Sequence, residues 1–184
     1  MNLQSPKKFK MMVDQAHEVA LNVLRPISRK YDKAEHAYPK ELDMLASLID
    51  GMNEGGEGIN AGAAVGKRGE TETGNKNGNN MSTALGIIEM CYGDTGLLLS
   101  MPRQGLGNSA IAAVANDEQL ERFKGTWAAM AITEPGCGSD SAAIRTTATQ
   151  DGDEYILNGE KIFVTSGDRA DSVVVWATLD KKLG

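Results

Sequence analysis

Apolar side chains recur along the first quarter of the chain at three- and four-residue steps: Phe9, Met12, Val13, Ala16, Val19, Ala20, Val23, Leu24 and Ile27. That spacing gathers them into one stripe on a helix and predicts helical structure over residues 5–50. Ser5-Pro6 fits a cap followed by a first-turn proline. Pro26 falls inside the stripe, where a ring without an N–H is expected to kink the helix or end it at Arg25. A second short helix is expected over residues 39–50, burying Leu42, Leu45, Leu48 and Ile49. Helical spacing returns at residues 82–91 and again at 105–123, where Ile111, Val114, Ala115 and Leu120 form the apolar side and Asn116-Asp117 marks a break. Leu97, Leu98 and Leu99 between them are expected to be buried.

Residues 51–80 break this pattern. They hold nine of the 21 glycines, few large apolar side chains and the run Gly74-Asn75-Lys76-Asn77-Gly78-Asn79-Asn80. Such a segment buries too little surface to offset its backbone entropy and is expected to be a long flexible loop. After Lys124 the period falls to two, and strands are expected over residues 126–133, 144–150, 153–157, 161–165 and 172–178. Asp151-Gly152 and Asn158-Gly159 read as tight hairpin turns. Helices followed by strands, without βαβ alternation, predict an α+β chain. An all-α helical domain over residues 1–124 should precede an incomplete antiparallel, barrel-like β domain over residues 125–184.

Composition narrows the function. With 19 Lys and Arg against 25 Asp and Glu, the net charge is −6, the opposite of a nucleic-acid binder's footprint. The N-terminus has charge without an apolar core behind it, and no apolar run approaches the ~20 residues that span a bilayer. The expected location is the cytoplasm. Cys91 and Cys137 are too few for a disulfide framework or a four-thiolate zinc site. His17 beside the stripe and His36 in a polar connector are expected to be structural or solvated, and Cys91 to be a small buried side chain. Gly105-Leu106-Gly107 lacks the third glycine and the preceding strand of a dinucleotide-binding turn.

Thr133-Glu134-Pro135-Gly136-Cys137-Gly138-Ser139-Asp140 carries more information. A strand ends at Thr133, and a proline with two glycines then imposes a non-repetitive backbone. Small residues allow close approach to a flat or phosphorylated ligand, with amide N–H groups and the Ser139 hydroxyl as donors. These properties fit a ligand-holding turn and an ordinary Gly-rich turn equally well.

The segment Ala131-Ile132-Thr133-Glu134-Pro135-Gly136-Cys137-Gly138-Ser139-Asp140 resembles the signature of the acyl-CoA dehydrogenases, with Cys137 where that family usually has Ala or Ser. Tyr155-Ile156-Leu157-Asn158-Gly159-Glu160-Lys161-Ile162-Phe163-Val164-Thr165-Ser166-Gly167 resembles a second family element, with Phe163 where Trp is common. Residues 81–123 and the opening helix, with Leu24-Arg25-Pro26-Ile27, resemble the family more loosely. Residues 51–80 match poorly, since the family normally has a short loop there.

The resemblance implies an FAD-dependent α,β-dehydrogenation of acyl-CoA thioesters. A carboxylate takes the proton beside the thioester carbonyl, and hydride passes from the β-carbon to the flavin. It places Met130, Ala131, Ile132 and Thr133 along the flavin edge and Gly138 and Ser139 near the pyrophosphate, with Ser139 also close to the CoA portion of the substrate. Phe163 stacks on the flavin, Val164 follows it, and the Thr165 hydroxyl reaches the central ring. In a strand over residues 161–165, alternation would turn Phe163 and Thr165 to one face. Glu134 is not the expected base, because the family carries that glutamate in a C-terminal helical domain. That domain is expected to be absent from this sequence, leaving the chain by itself inactive. Electron-transferring flavoprotein is the expected electron acceptor, and a homo-oligomer, dimer or tetramer, the expected assembly. The alternatives of the same fold are an acyl-CoA oxidase or a carrier-protein-thioester dehydrogenase; the non-catalytic alternative is a truncated subunit.

Overall fold

A computed structural model describes residues 7–54, 79–102 and 106–182. The chain divides into two compact units.

The first is helical. A 3₁₀ turn at Lys7–Phe9 leads into α1 (Lys10–Val19), a π-helical segment at Ala20–Leu24, and α2 (Arg25–Lys33). After a connector come α3 (Glu41–Glu54), α4 (Asn79–Gly93) and the short α5 (Thr95–Leu99). The stripe read from the sequence is the buried side: Ala16, Ala20 and Leu24 are fully enclosed. Leu24 joins Leu42, Leu45, Met90, Leu97 and Met101 in one core, flanked by Val19, Val23, Ile27, Tyr31 and Leu98. Each fully buried leucine contributes about 1.5–3 kcal/mol. Asp94 caps α5, its Oδ1 accepting from the Leu97 N–H at 2.8 Å.

Pro26 neither ends nor breaks the helix. It lies in the first turn of α2, directly after the π segment, where the Arg25 N–H donates to the Ala20 carbonyl five residues back. The widened turn takes up the missing N–H and relieves the ring's clash with the preceding carbonyls. Leu48 and Leu99, expected in the core, are instead 59% and 52% exposed. Helical spacing puts them near the buried face, but among the described residues no neighbouring element covers them. Cys91 is only partly buried. Both ends of the loop expected over residues 51–80 are helical instead, since α3 runs to Glu54 and α4 begins at Asn79. Residues 55–78, like the side chain of Ile49, lie outside the described residues.

The second unit contains α6 (Leu106–Val114), α7 (Asp117–Arg122), β1 (Ala128–Ala131), a 3₁₀ turn at Ser141–Ala143, β2 (Thr147–Asp151), β3 (Glu154–Asn158) and β4 (Ser172–Val175). The helix break at Asn116 is a capping box: Asn116 Oδ1 accepts from the Gln119 N–H, and Gln119 Oε1 accepts from the Asn116 N–H. α6 is fastened to β1 by Asn108, which is fully buried. Its amide donates to the Thr126 carbonyl at 2.8 Å and accepts from the Ala128 N–H at 2.9 Å.

The helix-then-strand order and the mixed class hold, but the pairing is not all antiparallel. β2 and β3 form the expected hairpin, with Asp151 opposite Glu154 and Gly152 at φ +60°. Positive φ at the first central residue alone is a type II′ turn. β1 and β4 pair in parallel, Ala128 opposite Ser172 through Ala131 opposite Val175. Parallel pairing requires a long crossover, and the β2–β3 hairpin lies within it.

The strand expected over residues 161–165 does not form, and Asn158-Gly159 is not a hairpin turn. Gly159 has no positive φ. It is required for close approach: an ideal Cβ there would lie 2.3 Å from Thr146 Oγ1 and 2.6 Å from Thr146 Cα. The chain passes over Thr146 at this point and runs on in an irregular segment towards the end of β1.

Candidate functional site

The irregular segment is held by a buried ion pair. At the end of β1 the chain makes the turn Glu134-Pro135-Gly136-Cys137, closed by reciprocal backbone bonds between Glu134 and Cys137 of 3.0 and 3.1 Å. The Glu134 carboxylate turns inward, and the residue is 6% exposed. Its Oε1 accepts from the Thr146 N–H at 2.8 Å and from Lys161 Nζ at 2.8 Å, and its Oε2 accepts from the Arg145 N–H at 2.7 Å. The Lys161 side chain is 10% exposed, and its ammonium also donates to the Ile132 carbonyl at 2.8 Å. The hydrogen bond from Lys161, then those involving Thr146 and Arg145, hold the Glu134 carboxyl far below the ordinary carboxylate range. A carboxylate so fully engaged is a poor proton acceptor, which agrees with the exclusion of Glu134 as a base.

The pair has a positional consequence. With Lys161 anchored at Glu134 and Ile132, the Ile162 N–H donates to the Thr133 carbonyl at 2.9 Å. The two motif segments therefore run side by side, Ile132-Thr133 against Ile162-Phe163. Phe163 stands at this junction with φ +57°, and it is 88% exposed. A bulky residue in the left-handed region is a backbone outlier, and such outliers collect at ligand sites. Ser166 also has φ +57°. Phe163 and Thr165 are both exposed, although not through strand alternation, since these residues are not in a strand.

The other expected contact residues fall as follows. Met130, Ile132, Thr133 and Val164 are half-buried, and Ala131 is buried in β1. The Ile132 carbonyl accepts from Lys161 and the Thr133 carbonyl from Ile162. Gly138 and Ser139 follow the turn and are exposed. Direct bonds thus join the Ile132-Thr133 segment to the segment that opens with Ile162-Phe163, while Gly138 and Ser139 are attached through the turn alone. Lys161 was missed as a positioning residue. The available signal was a single lysine leading an apolar run, 27 residues from a single glutamate in a Pro-Gly turn.

In the helical unit, His17 Nδ1 lies 2.7 Å from Glu89 Oε2, and its ring stacks on Tyr92 at 5.4 Å between centroids. His36 is exposed in the connector between α2 and α3. Among the described residues no helix is long and apolar enough to cross a membrane.

The fold is that of the acyl-CoA dehydrogenases. The family model described as "Acyl-CoA dehydrogenase, middle domain" matches residues 129–184. A 3-(aryl)acrylate reductase from Clostridium sporogenes is 33% identical over 181 residues, which cover 92% of this chain and 43% of that protein. A short-chain specific acyl-CoA dehydrogenase from Clostridium acetobutylicum is 29% identical over 192 residues, covering 100% of this chain and 47% of that protein. The solved structure of butyryl-CoA dehydrogenase from Megasphaera elsdenii superposes with a TM-score of 0.71 at 26% identity, over 100% of this chain and 47% of that one. The chain belongs to the acyl-CoA dehydrogenase family, and it spans about half the length of these relatives.

Proposed function

We propose that this chain supplies part of the flavin site of an enzyme that dehydrogenates acyl-CoA thioesters between the α and β carbons. The observation that carries the reading is the splice of Ile132-Thr133 to Ile162-Phe163, with the Phe163 ring left 88% exposed on a left-handed backbone. An aromatic face of this kind suits a flat heteroaromatic cofactor. FAD fits these residues. Phe163 would stack on its ring system, the Ile132 and Thr133 N–H groups and the Thr165 hydroxyl would bond along its edge, and Gly138 and Ser139 would approach its pyrophosphate. Met130, Ala131 and Val164 would shape the same wall. When bound, the flavin supplies the hydride acceptor. The chain's own residues contribute fixed donors towards a ring that gains negative charge, the preorganised electrostatics on which such sites depend.

Ser139 would also contact the CoA portion of the substrate. The base would be a glutamate of a further helical domain, reached only in a protein of the relatives' full length. The acceptor would be an electron-transferring flavoprotein, and the assembly a cytoplasmic homo-oligomer. The boundary between the family's helical and β domains is proposed at residue 124, in the connection between α7 and β1, although by compactness α6 and α7 group with the strands.

The relative named as a 3-(aryl)acrylate reductase favours a second reading, in which the same site reduces a conjugated double bond. The two readings separate in a protein extended to the full length of the relatives and loaded with FAD. Anaerobic addition of a saturated acyl-CoA should bleach the visible flavin band. A flavin that resists every saturated acyl-CoA, but is reoxidised from its reduced form by an aryl acrylate, would overturn the first reading in favour of the second.

A further inference from the structure

We propose that Arg169 is a positioning residue for the site read above as flavin-binding: lying over the Trp127 ring, it holds the turn that carries Thr165 and so fixes where the Thr165 hydroxyl stands. The role rests on that reading of the site.

The segment from Ile162 to Ser172 is held at both ends of β1. Just beyond the strand, the Ile162 N–H donates to the Thr133 carbonyl at 2.9 Å. Just before it, the Trp127 carbonyl accepts from the Asp171 and Ser172 N–H groups at 2.9 and 3.2 Å. The Trp127 N–H in turn donates to Asp171 Oδ2 at 2.8 Å. The segment is longer than the stretch of chain it spans, and the surplus is taken up in a turn. There the Gly167 N–H donates to the Val164 carbonyl at 3.1 Å, and the Ser166 carbonyl accepts from the Arg169 and Ala170 N–H groups at 3.1 and 3.0 Å.

Phe163 and Ser166 both have φ +57° in this segment. That conformation is unfavourable for residues with side chains and persists only where the surrounding structure over-determines it. The backbone bonds close the turn upon itself. Arg169 adds a side-chain attachment from inside the turn, with its guanidinium carbon 5.4 Å from the centre of the Trp127 ring. Trp127 is 8% exposed and Arg169 half-buried, and a cation is drawn to an aromatic face more strongly where water is excluded. Thr165 is exposed within the turn held in this way. Without the guanidinium, Ile162 would still bond to Thr133 and Asp171 to Trp127. The strands would therefore persist, while the turn between them would loosen and the hydroxyl would lose its preset place.

The test compares the 184-residue chain with Arg169→Met, which keeps an apolar stem without the cation, and Arg169→Lys, which keeps a cation for the ring. Amide hydrogen exchange followed by NMR reads the turn, and quenching of FAD fluorescence reads the site. In Arg169→Met the Gly167 and Ala170 amides should exchange roughly ten-fold faster with the β2–β3 amides unchanged, and FAD should bind roughly three- to ten-fold more weakly. Arg169→Lys should lie nearer the parent in both measurements. Trp127→Leu should speed exchange at the same two amides, and adding Arg169→Met to it should have little further effect. The two Arg169 variants decide the matter by themselves if Trp127→Leu does not fold. Unchanged exchange in Arg169→Met, faster exchange that extends through β2–β3, an equal loss in Arg169→Lys, or full additivity with Trp127→Leu would overturn the attachment. A loosened turn with FAD affinity intact would overturn the positioning role. A parent chain that binds no FAD would contradict the flavin reading instead, and exchange would still decide whether Arg169 holds the turn.

Discussion

Lys161 Nζ donates at 2.8 Å both to Glu134 Oε1 and to the carbonyl of Ile132, so a single ammonium fixes two segments distant in sequence. A buried pair of this kind adds little to stability compared with a well-packed apolar substitute, but it is damaging to break from one side. Its contribution here is placement. It sets the register in which Ile162 meets Thr133 and the Phe163 ring is left exposed.

Lys161→Met therefore leaves a carboxylate buried with its strongest partner gone. The second unit should melt at lower temperature, and FAD affinity should fall with it. Replacing both members, Lys161→Met with Glu134→Leu, should recover part of the lost melting temperature without recovering FAD affinity. A double variant as unstable as the single one, by calorimetry, would count against a pair whose main role is placement.

Gly159→Ala brings a methyl group against Thr146. Overpacking of this kind costs about 1–3 kcal/mol. The Thr146 backbone is itself in the way, its Cα lying 2.6 Å from the ideal Cβ, so Thr146→Ala should not rescue the variant. Urea denaturation of the single and double variants checks this, and full rescue would locate the clash in the side chain alone.

Asn108 pairs the Thr126 carbonyl and the Ala128 N–H. Asn108→Leu keeps the volume but leaves the Thr126 carbonyl and the Ala128 N–H unpaired, at about 1–3 kcal/mol for each. Chemical denaturation should show a loss in that range, and a neutral result would mean that water replaces the amide.

The acid limb of stability has a definite sign. Glu41 bonds to Lys30 and Tyr31, which lower its pKa from 4.5 to about 2. Glu134 is lowered further, chiefly by Lys161. Both groups release protons more readily folded than unfolded, so their stabilisation is complete above pH 4.5 and is lost as the pH falls towards 2. Lys30 has the opposite sign: its pKa is raised by Glu41 and then Tyr31, so its contribution is complete below 10.5 and declines at higher pH. Glu41→Gln should flatten the melting temperature between pH 4.5 and 2 for the helical unit. An unchanged slope would remove Glu41 from the account.

These sites show how far the sequence was legible. The apolar stripe from Ala16 to Leu24 and the break at Asn116 could be read because each depends on neighbours within one or two turns. Pro26 was misread because its tolerance comes from the π segment before it, which leaves no mark in the hydrophobic period. Leu48 and Leu99 have the spacing of core residues, but whether a surface is covered depends on elements elsewhere. The Asn158-Gly159 pair has turn chemistry, while its actual constraint is Thr146, which lies just before β2. At the site, the motif residues could be named from resemblance. The bonds that join them, Lys161 to Ile132 and Ile162 to Thr133, are long-range, and only the structure shows them.

If Thr165 bonds to the flavin as proposed, Thr165→Val removes one hydrogen bond to a ring that gains charge, worth on the order of 1.5–3 kcal/mol. In a protein of the relatives' full length, flavin reduction by substrate should slow roughly ten-fold or more, with little change in substrate binding. Stopped-flow rates equal to those of the parent would mean that the hydroxyl does not reach the ring.

The central claim, that Phe163 presents its ring to a flavin, is tested most directly by titrating FAD fluorescence with the parent chain, Phe163→Ala and Phe163→Trp. The parent should quench the flavin, and Phe163→Ala should bind roughly three- to ten-fold more weakly through the lost stacking. Phe163→Trp, which restores the larger aromatic face, should bind at least as well as the parent. Quenching with the same affinity in all three proteins, or none in any of them, would contradict the account.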